Sequence, residues 1–400
     1  MIELRNYILV TWAYWGFTLT DGALRMLVLL HFYQLGYSPV QIAFLFLFYE
    51  FFGVLTNLFG GWIGSQLGLK VTLIAGLALQ VLALSMLALL DPAWTIGFSV
   101  AYVMGAQALS GIAKDLTKMS SKSAIKVLVP DDAEGQLFRW VALLTGSKNA
   151  LKGAGFFLGG ALLAWLGFRS SLLLMAAGLI LVLLVMLVSL PRAIGLSKQK
   201  TKFRAILSKS REINLLSAAR VFLFGSRDIW FVVGLPVFLA ASLGWSFTEV
   251  GGFLALWVIG YGGVQALAPR LLRGLLAGGT PRGGTATGGA LSLAVLTALL
   301  AVGVSLEVSP WITVVGGLVL FGLVFAVNSS VHSYLILAYT ESDQAALNVG
   351  FYYMANAAGR LIGTLLSGLV FQTAGLVGCL WVSAGFLLGA GLISQRLPRG

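Results

Sequence analysis

The sequence predicts an all-α membrane protein with twelve transmembrane helices in two six-helix bundles. Three observations carry that expectation. Of 400 residues, 58% are hydrophobic and only 10% charged, against about 45–50% and about 25% in soluble domains. The apolar residues gather in runs of about 20, the length that crosses a bilayer as a helix. Lys and Arg concentrate in alternate connections between those runs. A mean hydropathy of +0.94 excludes a soluble globular domain, a disordered chain and a coiled coil. The 50 glycines and nine prolines show no collagen period. One cysteine, Cys379, excludes a disulfide framework, a Cys-based zinc site and an iron–sulfur cluster. Two histidines, His31 and His332, leave little for a catalytic metal, so no metal and no cofactor is expected.

The spans follow in order, each bounded by Gly, Pro or charge. In the first half they cover 7–32, 39–61, 71–90, 93–113, 137–166 and 170–190. In the second they cover 215–239, 248–268, 285–304, 310–338, 345–371 and 376–393. The expected organisation is an N-terminal bundle at 1–190, a basic cytoplasmic linker at 191–212 and a C-terminal bundle at 213–400. The linker holds Arg192, Lys198, Lys200, Lys202, Arg204, Lys209 and Arg211. Arg5, Lys70, Lys118, Lys122, Lys126, Arg270, Arg273, Arg282, Arg396 and Arg399 fall on the same side, and only Arg169 on the other. By the positive-inside rule both termini and the linker are cytoplasmic, which places the chain in the inner (plasma) membrane. The net charge of +12 is thereby explained by topology and anionic lipid, and no nucleic-acid partner is expected. The first run carries Asp21 and Arg25 and lacks a strong basic leader, so it reads as span 1 and not as a signal peptide.

The halves read as a repeat. A shift of 204 residues places Gly155 and Gly159 of span 5 on Gly359 and Gly363 of span 11. Parallel repeats of this kind place a substrate site near the midplane. The glycine pairs Gly60/Gly64, Gly155/Gly159, Gly359/Gly363 and Gly385/Gly389 each lie on one helix face. They predict close backbone packing, on which helices could also slide.

Charges inside the spans are the informative residues. Each costs at least ~2.5–3.5 kcal/mol at the bilayer centre. Asp21 and Arg25 lie one turn apart in span 1, and Glu50 in span 2. Lys114 and Asp115 fall in the cytoplasmic third of span 4. Lys148 and Lys152 flank Asn149 in span 5, Arg227 and Asp228 lie in span 7, and Arg360 in span 11. Six are positive and four negative. If every acid finds a base, two cations remain, a loss of roughly 5 kcal/mol or more unless an aqueous cavity or an anion compensates. A multiply anionic substrate meets that need.

Each residue also has a plainer reading. Asp21 and Arg25 can neutralise each other within the helix. Glu50 and Arg360 fit a gate pair, and Asp21, Glu50 and Asp228 are candidates for the coupled proton. Lys148 and Lys152 repel each other on one face and sit far from either end, which favours an anion role with Asn149 beside them. Arg25 and Arg227 occupy the first helix of each half, and arginine forks match oxyanions bidentately. Lys114 fits the cytoplasmic vestibule, whereas Lys118, Lys122 and Lys126 read as a solvated face. Arg220, near a helix start, reads as snorkelling to the interface. His332, one turn from Asn328, fits either a proton relay or a packing residue; His31 reads as interfacial. P-loop, H-E-x-x-H and G-x-S-x-G motifs are absent, so an ion or substrate gradient has to drive any transport, and no enzyme is expected.

The segment Gly61-Trp62-Ile63-Gly64-Ser65-Gln66-Leu67-Gly68-Leu69-Lys70 resembles the span 2–3 junction motif of the major facilitator superfamily, with Ser65 in place of its Asp. Gly155-Phe156-Phe157-Leu158-Gly159-Gly160 resembles that superfamily's antiporter motif, with Phe156 in place of Pro. More narrowly, 14–27, 44–50, 106–116 and 145–153 are similar to the organoarsenical efflux permeases of arsenic-resistance operons. The resemblance implies the major facilitator fold and export of 1-arseno-3-phosphoglycerate, for which the gradient-driven reading above makes proton-linked alternating access the expected mechanism. It also implies a functional partner, the glyceraldehyde-3-phosphate dehydrogenase that makes this compound from arsenate. The superfamily's organophosphate exchangers are similar in placing one Arg on span 1 and one on span 7, as Arg25 and Arg227 stand here. A transporter of another organophosphate or carboxylate is the alternative, and a membrane enzyme or receptor the more distant one.

Overall fold

The computed structural model describes residues 2–128, 134–191, 210–275, 281–309, 311–339 and 345–398. In 60–69, 119–128 and 134–146 it describes mainly the backbone. Most of the linker, with Gly60, Gly64, Ser65, Lys122, Lys126 and Arg399, therefore lies outside the described side chains.

The described residues are helical nearly throughout. The helices are α1 (Ile2–Gln34), α2 (Pro39–Leu45), α3 (Leu47–Leu67), α4 (Leu69–Ala88), α5 (Ile96–Leu128) and α6 (Glu134–Ser189). There follow α7 (Arg211–Phe231), α8 (Gly234–Ser242), α9 (Phe247–Leu275), α10 (Gly283–Ser305), α11 (Gly317–Ala338) and α12 (Ala345–Ser394). A π-helical turn, Trp311–Gly316, leads into α11. Nine described helices are long and apolar enough to cross a membrane. Two of those, Ser147–Ser189 and Asn348–Ser394, are pairs of spans joined at a reversal, and α1 adds the first span. Twelve crossings result among the described residues, as the hydropathy predicts.

Local chemistry sets the boundaries. At α2, Ser38 and Gln41 form a reciprocal capping box and Pro39 opens the first turn, which satisfies N–H groups that a helix start leaves open. Ser210 caps α7 by accepting from the Ile213 N–H. The reversals within α6 and α12 fall at Gly167 (φ 74°) and Gly375 (φ 61°), a left-handed backbone that glycine adopts without Cβ strain. Span 7 breaks between α7 and α8. There Ser367 of α12 accepts from the Val233 and Gly234 N–H groups at 3.1 Å each, replacing the lost helical bonds.

The chain forms two compact units. Unit 1 comprises Met1–His31, Phe51–Ala205 and Phe247–Ile259. In it, glycines bring backbones together: a Cβ at Gly155 would meet the Leu19 carbonyl oxygen at 2.5 Å, and one at Gly159 would strike the Ala23 backbone. Gly160 packs the same way on Phe247 of α9. Lys70 donates to the Leu187 carbonyl at 3.0 Å and to the Leu190 carbonyl, tying α4 to the end of span 6. His31 stacks on Phe168, with ring centres 4.0 Å apart.

Unit 2 comprises Phe32–Glu50, Ile206–Ser246 and Gly260–Gly400. Here α7 lies along α12. A Cβ at Gly359 would strike the Val221 backbone, and one at Gly363 would lie 2.6 Å from the Gly225 carbonyl oxygen. On another stretch of α12, Gly368 meets Pro39 and Ala43 of α2. Of the glycine pairs marked in the sequence, Gly385 packs on nothing within 4 Å, while Gly389 meets Phe222. The span formed by α7 and α8 is 78% buried and α10 only 28%, so the first is central and the second presents its apolar surface outward.

Candidate functional site

In unit 2 four charged side chains join into one network. Arg360 of α12 donates through Nη2 to Glu50 Oε1 at 2.5 Å and through Nε to Asp228 Oδ2 at 3.2 Å. The other Asp228 oxygen accepts from Arg227 Nε at 2.7 Å and Nη2 at 2.5 Å. Glu50 is fully buried and Asp228 nearly so. Two carboxylates therefore hold two guanidinium groups, and the network is neutral. The sequence marked all four residues, Glu50 and Arg360 as a gate pair and Arg227 for an oxyanion. The structure places Arg227 on Asp228, with its guanidinium 5.0 Å from the Phe224 ring centre and 5.7 Å from that of Phe325.

Seven residues before Arg227 on the same helix, a second cluster holds a cation with no acid paired to it among the described residues. Arg220 was expected to snorkel outward. Instead it is buried, with 4% of its surface exposed. Its Nε donates to Asn356 Oδ1 at 2.9 Å, and its Nη1 to the backbone carbonyl and to Oγ of Ser329, both at 3.3 Å. The guanidinium stacks 3.8 Å from the Phe224 ring centre and 4.9 Å from that of Tyr352. The correction has a physical reason. Neighbouring helices offer Arg220 fixed acceptors and aromatic faces, which replace water as partners for the cation. Tyr261 and Gln265 of α9 also donate to Ser329 Oγ, at 3.2 and 3.3 Å, and Gln265 donates to the Tyr261 hydroxyl at 2.7 Å.

In unit 1, Asp115 of α5 is buried between two lysines. Lys118 Nζ lies 3.1 Å from Oδ1 and Lys114 Nζ 3.6 Å from Oδ2. Lys118 also donates to Asn57 Oδ1 at 2.8 Å. Its expected place on a solvated face is thus corrected: the Asp115 carboxylate and the Asn57 amide draw it against α3, where Gly53 leaves room beside Asp115. Asp21 and Arg25 are both buried on α1. Lys148, Asn149 and Lys152 are half-buried on α6. Span 5 is set against α1 by a hydrogen bond from Trp15 Nε1 to Ser147 Oγ at 2.9 Å and by Gly22, whose Cβ would lie 2.7 Å from the Lys152 carbonyl oxygen. Lys152 Nζ is 5.7 Å from the Phe156 ring centre.

His332 and Asn328 are buried one turn apart on α11, and their polar side-chain atoms find no hydrogen-bond partner among the described residues. Asn328 lies against Gly289 of α10. Among the described residues no group of three or more His, Cys, Asp or Glu is placed to hold a metal. Sequence reasoning missed Ser329, Asn356, Tyr261 and Gln265. Polar residues on three separate apolar spans were the available signal.

The family model described as the Major Facilitator Superfamily matches residues 10–300. No curated protein matches the chain. Among solved structures, the chain is similar to a D-xylose–proton symporter at 13% identity, covering 98% of this chain and 97% of that one with a TM-score of 0.74. It is similar to a POT family transporter in complex with a thioalcohol-conjugated peptide at 14% identity, 97% and 95% coverage and a TM-score of 0.73. It is also similar to a bacterial homologue of the iron transporter ferroportin, in an outward-facing state, at 17% identity, 99% coverage of both chains and a TM-score of 0.67. At these identities the likeness speaks to the fold.

Proposed function

The chain belongs to the major facilitator superfamily, a multi-pass membrane transporter and not an enzyme, and from that premise we propose that it exports a multiply anionic organic substrate, 1-arseno-3-phosphoglycerate, by alternating access coupled to protons. The observation that supports this reading most is the charge content of the spans. Arg25, Lys114, Lys148, Lys152, Arg220, Arg227 and Arg360 outnumber Asp21, Glu50, Asp115 and Asp228. The resemblance of 14–27, 44–50, 106–116 and 145–153 to organoarsenical permeases supplies the arsenic.

In this reading Arg25, Lys148, Lys152 and Arg227 receive the two oxyanion ends, with Asn149 beside them and Lys114 toward the cytoplasm. Arg227 is held by Asp228, and Asp228 shares Arg360 with Glu50. A proton taken by either acid neutralises it and loosens its hold on the guanidinium, so proton binding and release of a cation to the substrate are one event. Glu50–Arg360 then closes and opens with the protonation state. His332, buried on α11, serves packing or a relay. Both termini face the cytoplasm of the inner membrane. The functional partner is a glyceraldehyde-3-phosphate dehydrogenase that supplies the arseno-compound.

A second reading rests on the same donors. Arginine and lysine recognise phosphate, arsenate and carboxylate oxygens alike, which also fits export of an ordinary organophosphate. Arsenate tolerance of sensitive cells separates the two. Tolerance that rises only when the transporter and the dehydrogenase are expressed together supports the arsenic substrate. Tolerance that does not respond to the pair contradicts it.

A further inference from the structure

Resting on the anion-transport reading above, we propose that Arg220 is an oxyanion-binding residue in its own right, forming with Ser329, Tyr261 and Gln265 a subsite for a tetrahedral dianion such as a phosphoryl or arsenyl group. Four observations lead there. Ser329 Oγ is approached by three donors: Arg220 Nη1, Tyr261 Oη and Gln265 Nε2. A hydroxyl oxygen has two lone pairs, so donors outnumber the acceptor they converge on, and an anion's oxygens match that imbalance. Next, Arg220 makes no ion pair among the described residues, and its Nη2 makes no hydrogen bond to them. Half of the fork thus remains for a ligand, the bidentate half that suits phosphate-type oxygens.

The third observation is contrast. Arg227, two turns further along α7, spends Nε and Nη2 on Asp228. Arg220 instead rests on neutral Asn356 and on the Phe224 and Tyr352 faces, which keep water away and strengthen its attraction for an anion. The fourth is the repeat. The shift of 204 that aligns Gly155 and Gly159 with Gly359 and Gly363 also aligns Lys148 and Lys152, in sequence, with Tyr352 and Asn356, the residues that contact Arg220. The first repeat thus has lysines on span 5 at the positions where the second has the neutral contacts of Arg220.

The test is binding of 3-phosphoglycerate, inorganic phosphate and glycerate to the purified full chain in detergent, by titration calorimetry, for wild type, Arg220→Gln, Arg220→Lys and Asn356→Ala. Wild type should bind 3-phosphoglycerate more tightly than glycerate. Arg220→Gln should weaken 3-phosphoglycerate by at least about tenfold, the scale of a charge-assisted hydrogen bond, and leave glycerate unchanged. Arg220→Lys keeps the charge and loses the fork, and Asn356→Ala loosens the guanidinium, so both should fall in between. If Arg220→Gln does not fold, the lysine and Asn356 variants decide. Folded variants that bind 3-phosphoglycerate as wild type does overturn the subsite and leave the anion-transport reading standing. A wild type that binds none of the anions overturns that reading, and the subsite with it.

Discussion

Spans 1 and 5 of unit 1 and spans 7 and 11 of unit 2 are built alike and charged differently. In each pair two glycines on the later helix let it press on the backbone of the earlier one: Gly155 and Gly159 on Leu19 and Ala23, Gly359 and Gly363 on Val221 and Gly225. Two residues beyond the second contact stands an arginine, Arg25 in one and Arg227 in the other. The backbone frame has been kept and the chemistry redistributed. In unit 1 the further cations are lysines on the glycine-bearing helix. In unit 2 the further cations are Arg360 on the glycine-bearing helix, paired with Glu50 and Asp228, and Arg220 on the helix that receives the glycines. Close packing constrains backbone positions and leaves the side chains around them free to diverge.

The largest effect that would sharpen this comparison is expected at Arg360. Arg360→Ala leaves Glu50 and Asp228 buried without their shared cation, which should cost about 3–5 kcal/mol, read as a fall in the thermal unfolding midpoint in detergent. Lys118→Ala in unit 1 should cost much less, since Lys114 stays beside Asp115. Equal costs would mean that the two networks are not different in kind.

Next come the glycines. Gly159→Val and Gly363→Val both force a side chain into a backbone contact and should each cost about 1–3 kcal/mol or more. A loss confined to one variant would break the equivalence of the two frames.

The cation can also be moved. Arg220→Gln combined with Asn356→Lys carries the charge from span 7 to span 11, as unit 1 has it on span 5. The double variant should regain part of the 3-phosphoglycerate affinity that Arg220→Gln loses, measured by the same calorimetry. No recovery would show that position on the helix matters more than the presence of charge.

The smallest effect concerns Ser367, which caps the break in span 7. Ser367→Ala should cost about 1–3 kcal/mol by leaving two buried N–H groups open, again as a lowered unfolding midpoint. An unchanged midpoint would mean that the break is satisfied in some other way.

How far the sequence carried these conclusions follows from the range of each force. Twelve crossings were legible because hydrocarbon thickness imposes about 20 apolar residues; the gaps left between the paired spans are where the structure reverses, at Gly167 and Gly375. The breaks at Phe46 and Val233 were not legible, since the bond that repairs the second comes from Ser367, far away in sequence. Glu50 with Arg360 could be marked because an intramembrane charge needs a partner. That Arg360 would bridge to Asp228 as well could not, because it depends on side-chain reach across helices. Arg220 and Lys118 were misplaced for one reason: distance from a span end was used as a measure of exposure. Asn356 and Ser329, which hold Arg220 inside, and Asn57, which with Asp115 holds Lys118, lie on other helices.

The most direct test is uptake of enzymatically generated 1-arseno-3-phosphoglycerate into inverted membrane vesicles, with wild type beside Arg25→Ala, Lys148→Ala and Lys152→Ala. Wild type should take the compound up in competition with 3-phosphoglycerate, and uptake should fall by at least about tenfold in each variant, the scale of one lost charge-assisted contact. Uptake that is undiminished in all three variants would contradict that expectation.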